Sequence, residues 1–435
     1  MNKPLAVVSA PVDTYSGYGS RARDFIKALY ELKKDEWDIK VLPQRWGSTE
    51  WGYIDNHKEE WSWVKDLYIQ QLTQQPDYWF QITIPSEAQP IGKYNVMVTA
   101  GIETTICAPD WIEGVNRMNL TLVSSEHAKK VFESSTFQQQ DQRTGQVTKI
   151  IKLEKPVEVL FEGIDLSTYK SIADDDLKET ELVQQLDEIP EDFCYLFVGH
   201  WLQGDMGEDR KNVGQTIKTF LETFKGKKSK PALILKTSHG SPSIMDKHEV
   251  LKKISKITES AGGKDLPNVY LLHGEFSDED INNLYNHPKV KAMLYMGKGE
   301  GYGRPLAEFT QTKKPIIASN WSGHKDFLHE DYTVYLAGEV RQIHPSAVVP
   351  NMLIAESMWF APNVKAAADK MEDVYKNYAK YTDNGKRLAH HVKTNFSYDA
   401  MKEVLAKKLE VVPKAVQLKL PQLKKIELPK LSKAE

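Results

Sequence analysis

The sequence predicts an α/β protein made of two doubly wound parallel-sheet domains. Three observations carry that prediction. Short apolar runs of strand length alternate with segments of helical period along most of the chain. A strand, a glycine-bearing loop and a helix follow one another twice, at 5–32 and at 291–315. Finally, 435 residues exceed what one core ordinarily holds, which favours two domains.

Residues 5–9 form a continuous apolar run, the pattern of a parallel strand buried on both faces. A loop carrying Gly17 and Gly19 follows, and then Ala22, Phe25, Ile26, Leu29 and Leu32 recur at helical spacing. Further strands are expected at 39–42, 78–84, 95–99, 120–124 and 157–160. Ser125 is placed to cap a helix holding Ala128, Val131 and Phe132. Residues 136–160 read as a turn between two extended segments, ending in the last strand of the first domain. Residues 171–192 are acidic and polar, the composition of an exposed inter-domain segment. Strands at 194–199, 232–235, 269–272 and 291–296, with one at 315–318 closing the series, build the second domain. A helix is expected over 216–224, and two more at 363–381 and 385–395. The domain boundaries expected are 1–165 and 166–384, with a basic tail at 412–435.

Composition narrows the function classes. Hydrophobic residues make up 40 % and charged residues 27 %, ordinary for a water-soluble globular chain. A net charge of −3 offers no global attraction to nucleic acid. Cys107 and Cys194 stand far apart, which reads as two reduced thiols in a cytoplasmic protein. No CxxC or Cys/His cluster suggests a metal, and Asp174-Asp175-Asp176 sits in a polar insert where a solvated run is the plain reading. No stretch reaches the ~18 apolar residues of a membrane span, and the first residues read as a strand, not a signal peptide.

The densest signal is Gly299-Glu300-Gly301-Tyr302-Gly303-Arg304-Pro305-Leu306-Ala307-Glu308. Glycines let main-chain N–H groups approach a ligand, Pro305 suits the first position of a helix, and a helix start carries partial positive charge. Such a loop suits a diphosphate. Glu300 and Glu308 are placed to face one cleft, and carboxylates accept hydrogen bonds from sugar and ribose hydroxyls. This motif, with 314–320 and Gly323-His324 after it, resembles the retaining GT-B glycosyltransferases of the family 4 type. The similarity is greatest over 195–328, and it extends to enzymes of large tailed bacteriophages and of bacteria. Phe161-Glu162-Gly163-Ile164-Asp165 resembles the signature that ends the first domain in that family, with Phe161 and Glu162 departing from it.

The resemblance implies a GT-B fold, transfer of a sugar from a nucleotide donor, a UDP- or GDP-sugar as substrate, and no cofactor. It also implies that the last helix, about 385–411, returns to the first domain. It maps a basic pair onto Arg210 and Lys211. Negative charge builds on a departing diphosphate, and fixed cations aimed at it stabilise the transition state without a metal. Glu308 is implied at the ribose hydroxyls and Glu300 at the donor sugar. Tyr302, Gly303, Arg304 and Pro305 would supply amides and shape, except that Pro305 has no N–H to give, and Gly301 belongs to the same donor-binding loop. Arg304 stands where the family is commonly apolar; it either reaches the phosphates or pairs with a surface acid. The base is expected at His273, Gly274, Glu275 and Phe276, although His273 also reads as a packed loop residue. Lys236, at the end of its strand, is a candidate on the donor side. Gly17 and Gly19 match the loop facing the diphosphate from the first domain. Glu103 stands where many relatives have a histidine, so it binds an acceptor hydroxyl, acts as a base or is structural. His127 and His324 read as structural. Trp46, Trp51, Trp61, Trp63 and Trp79 form either an acceptor platform or core.

Retention follows from the resemblance alone; a two-carboxylate displacement would need Glu103 or Glu300 beside the anomeric carbon. Two alternatives stand beside the transferase: a nucleotide-sugar epimerase of the same fold, and a catalytically silent nucleotide-sugar-binding protein. The acceptor is a hydroxymethylated DNA base, a polysaccharide or a protein. A DNA acceptor would recruit Lys129, Lys130, Lys149, Lys152, Lys155 and the tail lysines Lys414, Lys419, Lys424 and Lys425.

Overall fold

Two six-stranded parallel sheets, each flanked by helices, form the body of the protein. The coordinates are those of a computed structural model and describe residues 3–47 and 49–413. The first sheet runs in the order Asp38–Pro43, Leu5–Ala10, Tyr78–Ile82, Tyr94–Thr99, Leu120–Val123, Val157–Val159. The second runs Val269–Leu272, Ala232–Lys236, Cys194–Val198, Val290–Tyr295, Ile316–Ser319, Val334–Leu336. Every neighbouring pair in both sheets is parallel. The central strands are covered on both faces, so they read as unbroken apolar runs: Val7, Val8, Leu196, Phe197, Ile234 and Leu235 are all fully buried.

Each sheet reverses its winding once, between Leu5–Ala10 and Tyr78–Ile82 and between Cys194–Val198 and Val290–Tyr295. Crevices outside the carboxyl ends of strands at such switch points are where open α/β sheets take ligands. The chain leaving Cys194–Val198 leads to Arg210 and Lys211, and the chain leaving Val290–Tyr295 leads to the glycine loop. The fold therefore delivers the sequence-predicted residues to one crevice.

Local chemistry sets the helix starts. Ser16 caps Gly17–Lys33 by accepting from the Gly19 N–H, so Gly17 and Gly19 lie in the first turn and not in a loop ahead of it. Ser125 caps Glu126–Ser134 in the same way through Ala128. Gly303, at φ 99°, precedes the helix Arg304–Thr310, which makes Pro305 its second residue.

Several expected elements differ. The second sheet does not close at 315–318; Val334–Leu336 adds an outer strand. The acidic segment holds the short helix Glu181–Asp187, whose Leu182, Val183 and Leu186 are buried, so it is only partly exposed. The C-terminal helices are Val364–Lys376, Tyr378–Asn395 and Tyr398–Glu410, with the first break at Asn377. An antiparallel hairpin, Gly338–Gln342 with Met358–Pro362, was not foreseen. It forms an arm whose Ile343, Ala347, Leu353 and Trp359 join a core cluster with Ile102, Cys107 and Trp111 of the first domain. Of the expected tail, 414–435 lie outside the described residues.

Tyr398–Glu410 lies against the first domain. Ser397 bridges to Ile164, Lys402 pairs with Glu31 at 2.8 Å, and Lys408 pairs with Glu158 at 2.9 Å. Gly163 permits this approach, because a Cβ there would stand 2.6 Å from the Tyr398 Cα. Replacing Gly163→Ala should therefore lower stability by about 1–3 kcal/mol, as overpacking against backbone does. A lowered denaturant midpoint at unchanged slope is the expected reading, and an unchanged midpoint would show that the helix yields freely.

Candidate active site

The cationic pair faces the interior of the cleft. Arg210 Nη1 donates to Glu103 Oε1 at 3.1 Å, a bond that joins the second domain to the first. Lys211 Nζ donates to Glu300 Oε1. The Lys211 side chain is only 9 % exposed, while that of Arg210 keeps 31 %. Arg210 Nε is buried and has no partner among the described residues. Glu103 holds the guanidinium of Arg210 above its ordinary value, whereas burial lowers Lys211 against the pull of Glu300. Burial works to raise Glu300, but Lys211 and Arg210 outweigh it and hold the carboxyl low. The site therefore carries fixed opposite charges in a dehydrated setting.

The glycine loop is pressed against the first domain. A Cβ on Gly299 would meet the Glu103 Cβ at 2.7 Å, and one on Gly301 would meet the Ala100 carbonyl at 3.0 Å. Ser124 Oγ donates to both the Ala100 and Gly301 carbonyls, at 2.8 and 3.1 Å. Two of the three glycines thus serve domain closure in this conformation. The N–H groups of Gly301, Tyr302, Gly303 and Arg304 take no partner among the described residues. On the first domain, Tyr18 Oη bonds to Thr99 Oγ1 and to the Ala100 N–H, and its ring stacks on Trp46 at 4.1 Å. Gly17 faces open space, while a Cβ on Gly19 would stand 2.3 Å from the Thr14 carbonyl, so Gly19 is required by packing.

Arg304 neither pairs with an acid at the surface nor stands free for a phosphate. It is held among three carboxylates: Asp24 at 2.5 Å, Glu308 at 2.9 Å and Glu162 at 3.9 Å. Asp24 and Glu162 belong to the first domain, so this cluster also crosses the cleft. Glu308 accepts a further bond from Tyr285 Oη at 3.3 Å. Arg21 shares the neutralisation of Glu162 with Arg304, whereas Glu308 has Arg304 as its ion-pair partner. Burial pushes the Glu308 carboxyl up to about 8, with Arg304 pulling against it.

The base loop is less free than the sequence suggested. His273 Nε2 is 2.6 Å from Asp246 Oδ2, and the ring is buried, so its side chain pins the helix Ile244–Ser260. Gly274 is open on its Cβ side. Lys236 lies 5.5 Å above the Phe276 ring with Glu275 as its nearest opposing charge, and burial lowers its pKa. His324 is fully buried with Nε2 2.6 Å from the Ser319 carbonyl, and its pKa falls to about 4 through burial. His127 is held by the Thr104 carbonyl and the edge of Trp321. Trp61 and Trp79 are core, whereas Trp46 and Trp51 lie at the surface of the first domain. Lys129 and Lys149 are paired with Glu158 and Glu113, and the tail lysines lie outside the described residues, so the basic face expected of a DNA acceptor is partly cancelled.

Sequence reasoning missed Asp24, Tyr285, Ser322 and Trp321. Ser322 Oγ accepts from the Glu300 N–H at 2.8 Å, and Trp321 Nε1 donates to the Glu103 carbonyl at 2.7 Å. Both follow directly on the strand Ile316–Ser319, which was a usable signal. Asp24 sits mid-helix and Tyr285 in the last turn of Asp278–Asn286, both with no local sign of a role. Among the described residues no group of three or more His, Cys, Asp or Glu is arranged to hold a metal ion, and no helix is long and apolar enough to cross a membrane.

No family model matches the sequence, and no curated protein matches it. Solved structures do. A glycosyltransferase from Rickettsia africae aligns over 95 % of this chain and 98 % of its own, with a TM-score of 0.61 and 12 % identity. HepE from Anabaena, in complex with UDP and glucose, aligns over 94 % and 99 %, with a TM-score of 0.61 and 14 % identity. A trehalose 6-phosphate synthase from Burkholderia multivorans aligns over 95 % and 99 %, at 0.60 and 10 %. Likeness at these identities defines the fold: two facing parallel-sheet domains in the GT-B arrangement.

The Glu308 cluster makes stability depend on pH. A folded value of about 8 lies above the ordinary 4.5, so the folded chain holds this proton more tightly than the unfolded chain. The stability it contributes is complete below 4.5 and is lost as pH rises through 8. Thermal unfolding followed from about pH 5 to about pH 9 should show wild type weakening on the alkaline side. Glu308→Gln, which cannot ionise, should weaken less; parallel curves would place the proton elsewhere.

Proposed function

We propose that the protein transfers a sugar from a nucleotide-sugar donor, a UDP-sugar foremost, to an acceptor hydroxyl, with the departing diphosphate neutralised by Arg210 and Lys211. The observation that carries this reading is the buried, unpartnered Arg210 Nε beside a lysine, in a cleft between two parallel-sheet domains. A phosphate oxygen satisfies that donor and replaces the carboxylate partners of the pair. The UDP and glucose bound to HepE, a protein of the same fold, support the choice of donor.

In this reading Glu103 and Glu300 occupy the cations until the donor arrives. The diphosphate then takes the guanidinium fork and the ammonium, and Glu300 is released to accept from the sugar hydroxyls. Glu308, retaining its proton, both accepts from and donates to the ribose hydroxyls. The bond from the anomeric carbon to the phosphate oxygen breaks as the acceptor oxygen attacks on the same face. The acceptor proton passes to the departing phosphate oxygen. Charge on that oxygen grows as the bond lengthens, so the two cations act more strongly on the transition state than on the ground state. A divalent ion is not needed in this scheme, and turnover should survive a chelator.

The test begins with nucleotide sugars screened by thermal shift, followed by product analysis with and without acceptors. A product formed from donor alone would favour an epimerase, and binding without turnover on any acceptor would favour a silent binding protein. Arg210→Ala with Lys211→Ala should lower turnover about 10²–10³-fold while the fold persists. Near-normal turnover would show that other groups meet the leaving-group charge. Separately, Glu308→Ala should weaken donor affinity about tenfold, the scale of one lost hydrogen-bond partner; unchanged affinity in a calorimetric titration would remove the ribose assignment.

A further inference from the structure

A second cavity lies outside the donor cleft, where the arm 338–362 meets the loop 201–209. Its volume is 630 Å³, within the ordinary range of small-molecule sites. The wall is formed by Glu208, Arg341, Ile343, His344, Val348 and their neighbours. The arm and the loop are tied together: Arg341 pairs with Glu208 at 2.7 Å, Gln203 Nε2 donates to the Val348 carbonyl at 3.0 Å, and the Asp205 N–H donates to Ser346 Oγ at 2.9 Å. None of the lining residues belongs to the Arg210, Lys211, Glu300 and Glu308 set.

Beside the arm stands Lys298, 2 % exposed, whose carbonyl accepts from the Phe360 N–H at 3.3 Å. Its ammonium makes no hydrogen bond or ion pair among the described residues; its one direct neighbour is the Trp359 ring, 5.9 Å away. The indole Nε1 of Trp359 is itself buried without a partner. The charges that act most on Lys298 are Arg341 and Glu208, both in the cavity wall, followed by Asp209. Glu208 is already committed to Arg341. Asp209 is buried, accepts from the Val213 N–H, and is pushed up to about 6 by desolvation, so it is a weak counter-charge. A buried cation without a partner is costly, and a donor left unsatisfied beside it adds to the cost. An anion in the cavity supplies the counter-charge that Lys298 lacks. The remaining wall, with Ile343, Pro345, Val348 and Ala355, is apolar and suits the body of an organic ligand.

We propose that this cavity binds the anionic group, a phosphate or a carboxylate, of a small organic ligand, with Lys298 as the buried counter-charge and Arg341 and His344 at the mouth. The position has consequences for the main cleft. The Lys298 N–H donates to the Arg210 carbonyl at 2.9 Å, and Lys298 lies two residues before Glu300. An occupant is therefore sensed by the chain segments that carry both of those side chains.

The pH dependence has a definite sign. Burial first, and Arg341 second, lower Lys298 to about 8, while Glu208 and Asp209 oppose them. The charged form is what an anion binds, so binding strengthens below about 8 and fades above it.

The experiment uses the full chain and two probes, inorganic phosphate and malonate, read by thermal shift and calorimetry. Because the donor cleft also attracts phosphate, the measurement is made in Arg210→Ala/Lys211→Ala as well as in wild type. In that background at least one probe should still raise the melting temperature, and adding Lys298→Met should weaken its binding at least tenfold. Arg341→Ala, an exposed change, should weaken it less and guards against a folding defect at Lys298. The stronger of the two probes identifies phosphate or carboxylate as the preferred group. UDP binding in otherwise wild-type Lys298→Met should stay unchanged, which separates this site from the donor reading. Equal probe binding with and without Lys298, or no response to either anion in the background variant, would overturn the assignment.

Discussion

Everything in the cleft depends on how two buried cations are neutralised. Arg210 and Lys211 lie at the switch point of the second sheet, Lys211 buried and Arg210 partly so, where an unpaired charge is costly. Their partners come from opposite sides: Glu103 from the first domain and Glu300 from the second. Pairing therefore closes the cleft and stores a cation pair ready for a more highly charged anion. The same closeness explains the glycines. At 299 and 301 any side chain would collide with the segment that carries Glu103.

A second cross-domain contact works by the reverse imbalance. Arg304 is one cation among Asp24, Glu162 and Glu308. Burial penalises the charged form of Glu308, with Asp278 adding to the penalty and Arg304 opposing it, so a proton stays on Glu308 near neutral pH. The two contacts bracket the crevice, one rich in cations and the other in acids. On the reading proposed here, that polarity orients a nucleotide sugar, with its diphosphate toward Arg210 and Lys211 and its ribose toward Glu308. The arm 338–362 adds a third tie between the domains through Trp359 and its neighbours, and that tie is apolar.

Much of this was legible residue by residue. Buried parallel strands announce themselves as short apolar runs, and a capping serine marks the helix start at Ser125, because both signals are local. The run from Gly299 to Glu308 is legible for the same reason: loop, helix start and two acids are fixed within ten positions of sequence. The arm escaped because its first strand is exposed throughout, and its apolar residues, Ile343, Leu353 and Trp359, find their core in the other domain. The outer strand Val334–Leu336 escaped because three residues at a sheet edge carry no periodicity. Arg304 was misplaced because its partners lie 280 and 142 positions away, at Asp24 and Glu162.

The sequence alone determined the parallel-sheet architecture and the glycine loop with its two glutamates, since both follow from short-range pattern and from what glycine, proline and glutamate can do, while Arg210 and Lys211 were legible only through the resemblance. Only the tertiary structure decided which carboxylate faces which cation, that His273 is tied to Asp246, and that Lys298 is buried without a counter-charge. Those facts depend on the distance between chain segments 27 to 107 residues apart or on the depth of a side chain beneath the surface. Neither quantity is encoded in any local run of residues.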